Sequence, residues 1–249
     1  MRWLLFIALV YQAHSADVCE PRKFQGAYGV QLSGTTTISG ERKPVALVGR
    51  LVFDGTGTVS GYVSVNYTGL LLGNPVNGTY EAHEDCSLTW SLQDDSGAFQ
   101  HFAGTMASDL VHIQFHQTDD GGARQGVMVR TPKVCSAATF LKRYTYTISG
   151  STTPMLPGET AHAVSSNGVM EVSEGGNFTI TADGPHAPSK GTLNVDSDCI
   201  TNIALALSVG DAGATVAMKL RGVLLDEGKE ILAIQTDPGT TVTAKFNAQ

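Results

Sequence analysis

Apolar and polar positions alternate with a period of two along most of this chain. Residues 28–32 alternate cleanly, residues 45–53 are apolar and β-branched, and residues 58–65 resume the pattern after Asp54-Gly55-Thr56-Gly57. An Asp-Gly pair supplies the positive φ of a primed turn, so these runs predict a hairpin. Further strands are expected at 79–83, 87–92, 99–106, 111–117 and 126–130, with turns at Asp94-Asp95-Ser96-Gly97 and Asp119-Asp120-Gly121-Gly122. The second half predicts strands at 144–149, 161–165, 168–172, 177–182, 191–195, 201–208, 215–220, 231–236 and 241–246. A helical period is suggested only over 220–227. Many short strands separated by turn residues predict an antiparallel sandwich or barrel. Closure removes edge strands, so two barrel-like modules of lipocalin or cyclase type are the expected all-β architecture.

The chain is written twice. Tyr28 returns as Tyr144 and Ser33-Gly34 as Ser149-Gly150, both at an offset of 116 (144 − 28). Asp85-Cys86 returns as Asp198-Cys199 at 113 (199 − 86), and Gln117-Thr118-Asp119 as Gln235-Thr236-Asp237 at 118 (235 − 117). The small drift in offset places short insertions in loops. Residues 17–134 and 135–249 are the expected modules.

Residues 1–16 read as a secretory signal peptide, with Arg2, an apolar run, and Ala13-His14-Ser15-Ala16 for cleavage. A secreted or lumenal location follows. The four cysteines are then expected as disulfides, and four allow three pairings. The repeat makes Cys19 equivalent to Cys135 and Cys86 to Cys199. Each module closing on itself gives Cys19–Cys86 and Cys135–Cys199, with Cys86–Cys135 and Cys19–Cys199 as the rival pairing. Asn66-Tyr67-Thr68, Asn77-Gly78-Thr79 and Asn177-Phe178-Thr179 are glycosylation acceptors in a eukaryotic host. A formal net charge of −7 and the absence of any Lys/Arg run argue against nucleic acid and anionic membrane as partners.

No serine-hydrolase elbow, zinc-protease helix, P-loop or dinucleotide fingerprint is present. His112-x-Gln114-x-His116 puts three polar side chains on one strand face. That face is either wet, part of a pocket, or a metal pair lacking a third ligand of defined spacing. The local offset of 118 sets Gln114 against Leu232 and His116 against Ile234, which moves the expectation toward a pocket. Trp90, Phe102 and Phe115 are expected as core or as an aromatic wall, with Tyr62 and Tyr67 near a barrel mouth. Arg124 is a rare cation beside a turn. No metal and no cofactor are implied.

The strings Cys19…Phe24-Gln25-Gly26-Ala27-Tyr28, Gly49-Arg50-Leu51-Val52-Phe53-Asp54-Gly55 and Val76-Asn77-Gly78-Thr79-Tyr80…Asp85-Cys86 resemble a family of small secreted β proteins. A tandem version with a signal peptide and glycosylation acceptors resembles the fungal hetero-Diels–Alderases of tropolone-sesquiterpenoid pathways. That resemblance implies a cofactor-free [4+2] cycloaddition between a tropolone-derived ortho-quinone methide and a humulene-type alkene. Such chemistry needs an apolar pocket for two reactants and a donor to the quinone-methide oxygen. His116, Gln114 and Arg124 are the candidate catalytic donors, with Tyr62 and Trp90 also able to donate. Trp90, Phe115, Tyr62, Tyr67 and Phe102 are the candidate binding residues for apolar small molecules. A lipocalin-like carrier and a cell-surface structural or interaction protein are the competing readings.

Overall fold

The computed structural model of the chain describes residues 19–249 apart from 155, 157, 184–187 and 210–213. The expected leader, residues 1–16, lies outside the described residues. Eight antiparallel strands, β1 (Gly26–Ile38), β2 (Glu41–Phe53), β3 (Thr58–Tyr67), β4 (Leu70–Ala82), β5 (Ser87–Asp94), β6 (Phe99–Met106), β7 (His112–Gln117) and β8 (Ala123–Arg130), close into a barrel. A second closed barrel is formed by β9 (Arg143–Thr152), β10 (Ala163–Val172), β11 (Asn177–Ala182), β12 (Ser189–Val195), β13 (Ile200–Val209), β14 (Ala214–Leu225), β15 (Glu230–Gln235) and β16 (Thr240–Ala248). In each barrel the strands pair with their sequence neighbours and the first closes on the last.

Three expected elements differ. β4 begins at Leu70 rather than 79, after a turn in which Thr68 and Gly69 take φ of 51° and 87°. Its first half reads Leu70-Leu71-Leu72-Gly73-Asn74-Pro75, with no alternation and a proline, which hid the strand. Residues 161–165 and 168–172 are one strand, β10. Gly168 lies inside it because a Cβ there would sit 2.1 Å from the Thr181 carbonyl oxygen and 2.9 Å from the Tyr146 ring. The helical period at 220–227 is the end of β14 followed by a short 3-10 turn (Asp226–Gly228). Both faces of β14 are buried there, and a strand apolar on both faces mimics an apolar helix.

Each barrel carries its own disulfide, Cys19–Cys86 and Cys135–Cys199, as the repeat predicts. Bridges of this kind belong to an oxidising compartment, which fits a secreted or surface protein. Among the described residues, no helix is long and apolar enough to cross a membrane.

The barrels dock through their outer faces. Ala46 and Val48 of β2 and Val129 of β8 pack into the hydrophobic cluster of the second barrel. Gly29 of β1 permits the close approach: a Cβ there would lie 2.4 Å from Leu225 Cδ2 and 2.6 Å from Val223 Cγ1. The Gln31 amide donates to the Ala233 and Ala244 carbonyls (2.8 and 3.1 Å). The Asn66 amide donates to those of Gln235 and Thr240 (3.1 and 2.7 Å). Docking explains why every residue of β15 is buried. Alternate residues face the barrel interior, and Leu232 and Ile234 between them face the first barrel.

Candidate functional site

The interior of the first barrel has two unlike ends. At the disulfide end, Phe24, Tyr28, Phe53 and Tyr80 pack edge and tilted, with neighbouring centroids 4.7–5.6 Å apart. They plug the barrel. Above them Trp90 stacks on Phe102 at 5.2 Å, and Phe115 meets both edge-on at 5.0 and 5.8 Å. Period-2 alternation on β5, β6 and β7 aims these three rings inward together. They form one wall of an apolar slot whose other walls include Val30, Leu32, Leu51 and Val63. The slot is a small cavity of about 30 Å³. It is therefore narrow.

The open end is polar. Tyr67, Asn74, Asp94 and Gln100 line it. Arg124, at the start of β8, turns into the barrel at this end and is only 8% exposed. Its Nε donates to Gln117 Oε1 and its Nη1 donates to Gln100 Oε1 (3.2 Å). The Gln117 amide donates to Asp119 Oδ2 (2.8 Å), whose two oxygens also take the His101 backbone N–H and ring (2.8 and 2.7 Å). Burial pushes the Asp119 carboxyl up, but the hydrogen bonds from His101 and Gln117 outweigh it and hold the carboxyl below its ordinary value. Burial also draws the Arg124 guanidinium below its usual value, with Tyr67 and Asp119 opposing. Arginine stays cationic regardless. Among the described residues, no carboxylate forms an ion pair with it.

The structure thus brings together Arg124, Tyr67, Trp90, Phe102 and Phe115. It does not bring His116, Gln114 or Tyr62 to them, and the expectation of a shared pocket is corrected at all three. On β7 the inward residues are Ile113, Phe115 and Gln117, while His112, Gln114 and His116 are exposed on the outer face. Leu232 and Ile234 are buried at the matching positions because β15 docks on the other barrel, whereas β7 does not. Gln114 lines an open outer groove with Gln31, Ser33, Phe115 and Gln125, apart from the slot. Tyr62 also faces outward, 42% exposed, beneath Arg221 of the second barrel at 5.6 Å.

Asn66 is corrected as a glycosylation acceptor. It is 1% exposed, and the amide nitrogen that a glycan would occupy is bonded into the barrel interface. Asn77 and Asn177 are exposed.

Gln100 and Gln117 were missed as site residues. Both were within reach of the same alternation that aimed Phe102 and Phe115 inward, since each lies two residues from one of those rings.

Among the described residues, the second barrel has the same frame without the polar cluster around Arg124. Gly34 pairs with Arg124 in one barrel, and Gly150 pairs with Val242 in the other. Gln100 becomes Met218, while Trp90, Phe102 and Phe115 become Ile203, Leu220 and Ala233. The Gln–Asp contact survives, with the Gln235 amide donating to Asp237 Oδ2 at 3.0 Å. That contact belongs to the frame. Arg124 and Gln100 are what the first barrel adds.

No family model matches the chain, and no curated protein matches it. Among solved structures it is similar to a double mutant of transferrin binding protein B from Haemophilus parasuis Hp5, at 10% identity and a TM-score of 0.35, covering 90% of this chain and 76% of that one. It is also similar to isotype 1 transferrin binding protein B from serogroup B Neisseria meningitidis (8%, 0.37, 90% and 77%). A porin-like protein from Bacteroides uniformis matches at 10% and 0.22, with 89% of this chain and 96% of that one covered.

Proposed function

We propose that the first barrel is a cofactor-free cyclase site for an intermolecular hetero-Diels–Alder [4+2] cycloaddition in fungal tropolone-sesquiterpenoid biosynthesis, acting on a secreted or lumenal protein's apolar small-molecule substrates. The observation that carries the reading is Arg124: a buried cation whose hydrogen bonds go to neutral side chains, one of which, Gln100, lines an apolar aromatic slot. A quinone-methide oxygen gains negative charge as the cycloaddition proceeds. Fixed donors aimed at that oxygen in a low-dielectric site stabilise the transition state more than the ground state. Arg124 supplies the charge and Tyr67 a hydroxyl beside it. Trp90 and Phe102 offer a flat apolar wall for a ring or an isoprenoid chain. One reactant lies against this wall and the second meets it at the mouth. Holding the two in register contributes up to roughly 7–11 kcal/mol.

A carrier of an apolar metabolite is the second reading, favoured by the aromatic plug that makes the slot blind at one end. Incubation with a tropolone quinone-methide precursor and humulene separates the two. A cyclase raises the adduct rate and fixes its stereochemistry, and Arg124→Val abolishes both effects. Binding of either reactant with the uncatalysed rate and an unselective product leaves the carrier. A wild-type stereochemical outcome from Arg124→Val overturns Arg124 as the donor.

A further inference from the structure

The mouth of the first barrel also carries information about the class of molecule it takes. Arg124 is a full positive charge withdrawn from water, and desolvating a charge is costly unless something compensates it. Gln117, Gln100 and Tyr67 give hydrogen bonds without charge. Asp119 is the acid linked to the cluster, yet both of its oxygens are turned to His101 and the Gln117 amide. Asp94 lines the same mouth, but its Oδ1 accepts from the Ser96 N–H and hydroxyl, and it makes no ion pair with Arg124. The second barrel gives an independent comparison. Where Val242 and Met218 replace Arg124 and Gln100, the Gln235 Oε1 is buried with no partner among the described residues. The fold therefore stands without the arginine, and the first barrel keeps a buried cation that its architecture does not require.

We infer that the mouth selects a ligand carrying one anionic oxygen group, a carboxylate or an acidic enol, on an apolar body, with that oxygen toward Arg124 and the body against the wall formed by Trp90, Phe102 and Phe115. The inference rests on the reading of the slot as a small-molecule site and narrows its substrate class. A charge-assisted bond to a buried guanidinium is stronger than a neutral one, so the anion outcompetes its alcohol.

The test uses the mature full-length chain, whose one tryptophan after loss of residues 1–16 is Trp90, so that quenching of its emission reports the slot directly. The probes are parinaric acid and parinaryl alcohol, which share one body and differ in charge. The acid is expected to bind roughly tenfold tighter or more at neutral pH. Arg124→Val is expected to bring the acid-to-alcohol ratio to within about twofold of unity, and Asp94→Asn to raise that ratio by removing a like charge. Equal affinity for acid and alcohol in the wild type overturns the anion inference and leaves the slot as a binding site. A preference that survives Arg124→Val overturns the role of Arg124. Failure of both probes to quench Trp90 overturns the small-molecule reading itself.

Discussion

Gln117 and Gln235 hold the same place in the two barrels, yet Gln117 Oε1 accepts from Arg124 while Gln235 Oε1 is buried without a partner among the described residues. Two differences among the described residues, Arg124 against Val242 and Gln100 against Met218, set the two mouths apart. Arg124→Val puts at this position the residue that the second barrel carries there. It removes a buried cation and takes the donor from two amide oxygens, those of Gln117 and Gln100, effects of opposite sign on the order of 1–3 kcal/mol each. The melting temperature should stay within about 5 °C of wild type. A fall of more than about 10 °C in calorimetry would make Arg124 a structural residue first.

Glycan mapping of the protein from a eukaryotic host should find Asn66 unmodified, with occupancy confined to Asn77 and Asn177. Asn66→Ala removes two bonds across the interface and the acceptor of the Gly69 N–H. The barrels should lose about 1–3 kcal/mol of docking. A glycopeptide containing Asn66 in folded protein would contradict the interface.

Gly29→Val drives methyl groups into Val223 and Leu225. Overpacking of this kind costs about 1–3 kcal/mol, and here it falls on docking rather than on either barrel. Limited proteolysis should open a new cleavage within residues 131–142 while both disulfides stay intact. A cleavage pattern identical to wild type refutes the close approach at Gly29.

Peptide mapping without reduction should recover Cys19 with Cys86 and Cys135 with Cys199. The closed loops span 67 and 64 residues, so each bridge contributes roughly 4 kcal/mol in the chain-entropy model. Cys19→Ser with Cys86→Ser should lower stability to denaturant by about that amount. A loss under about 1 kcal/mol would place the stabilisation elsewhere.

Tyr28 is buried, donates to the Leu110 carbonyl at 2.7 Å and accepts from Arg130. Burial pushes its hydroxyl up to about 12, against Arg130, which lowers it. A raised folded value means the contribution is complete below the unfolded value of about 10 and is lost as pH climbs toward 12. Tyr144 is shifted the same way by burial. Tyrosinate absorbance should therefore show these two groups ionising only with alkaline unfolding. Ionisation of every tyrosine near pH 10 in folded protein would refute it.

The sequence by itself determined the duplication and the two β modules, favoured the disulfide pairing over its rival, and offered Trp90, Phe102 and Phe115 as core or as an aromatic wall. Those features are local or repeated: alternation fixes which side chains share a face, and a repeat fixes which cysteines are equivalent. Applying the repeat to Arg124 would also have shown the loss of that charge at Val242. What the sequence did not contain was which face of each strand a second barrel covers. Leu232 and Ile234 are apolar because β15 meets the first barrel, and His116 and Gln114 are polar because β7 meets water. The same docking buried Asn66 and left Tyr62 outside. Only the tertiary structure decided these, because burial of a barrel's outer face depends on a surface far away in the chain.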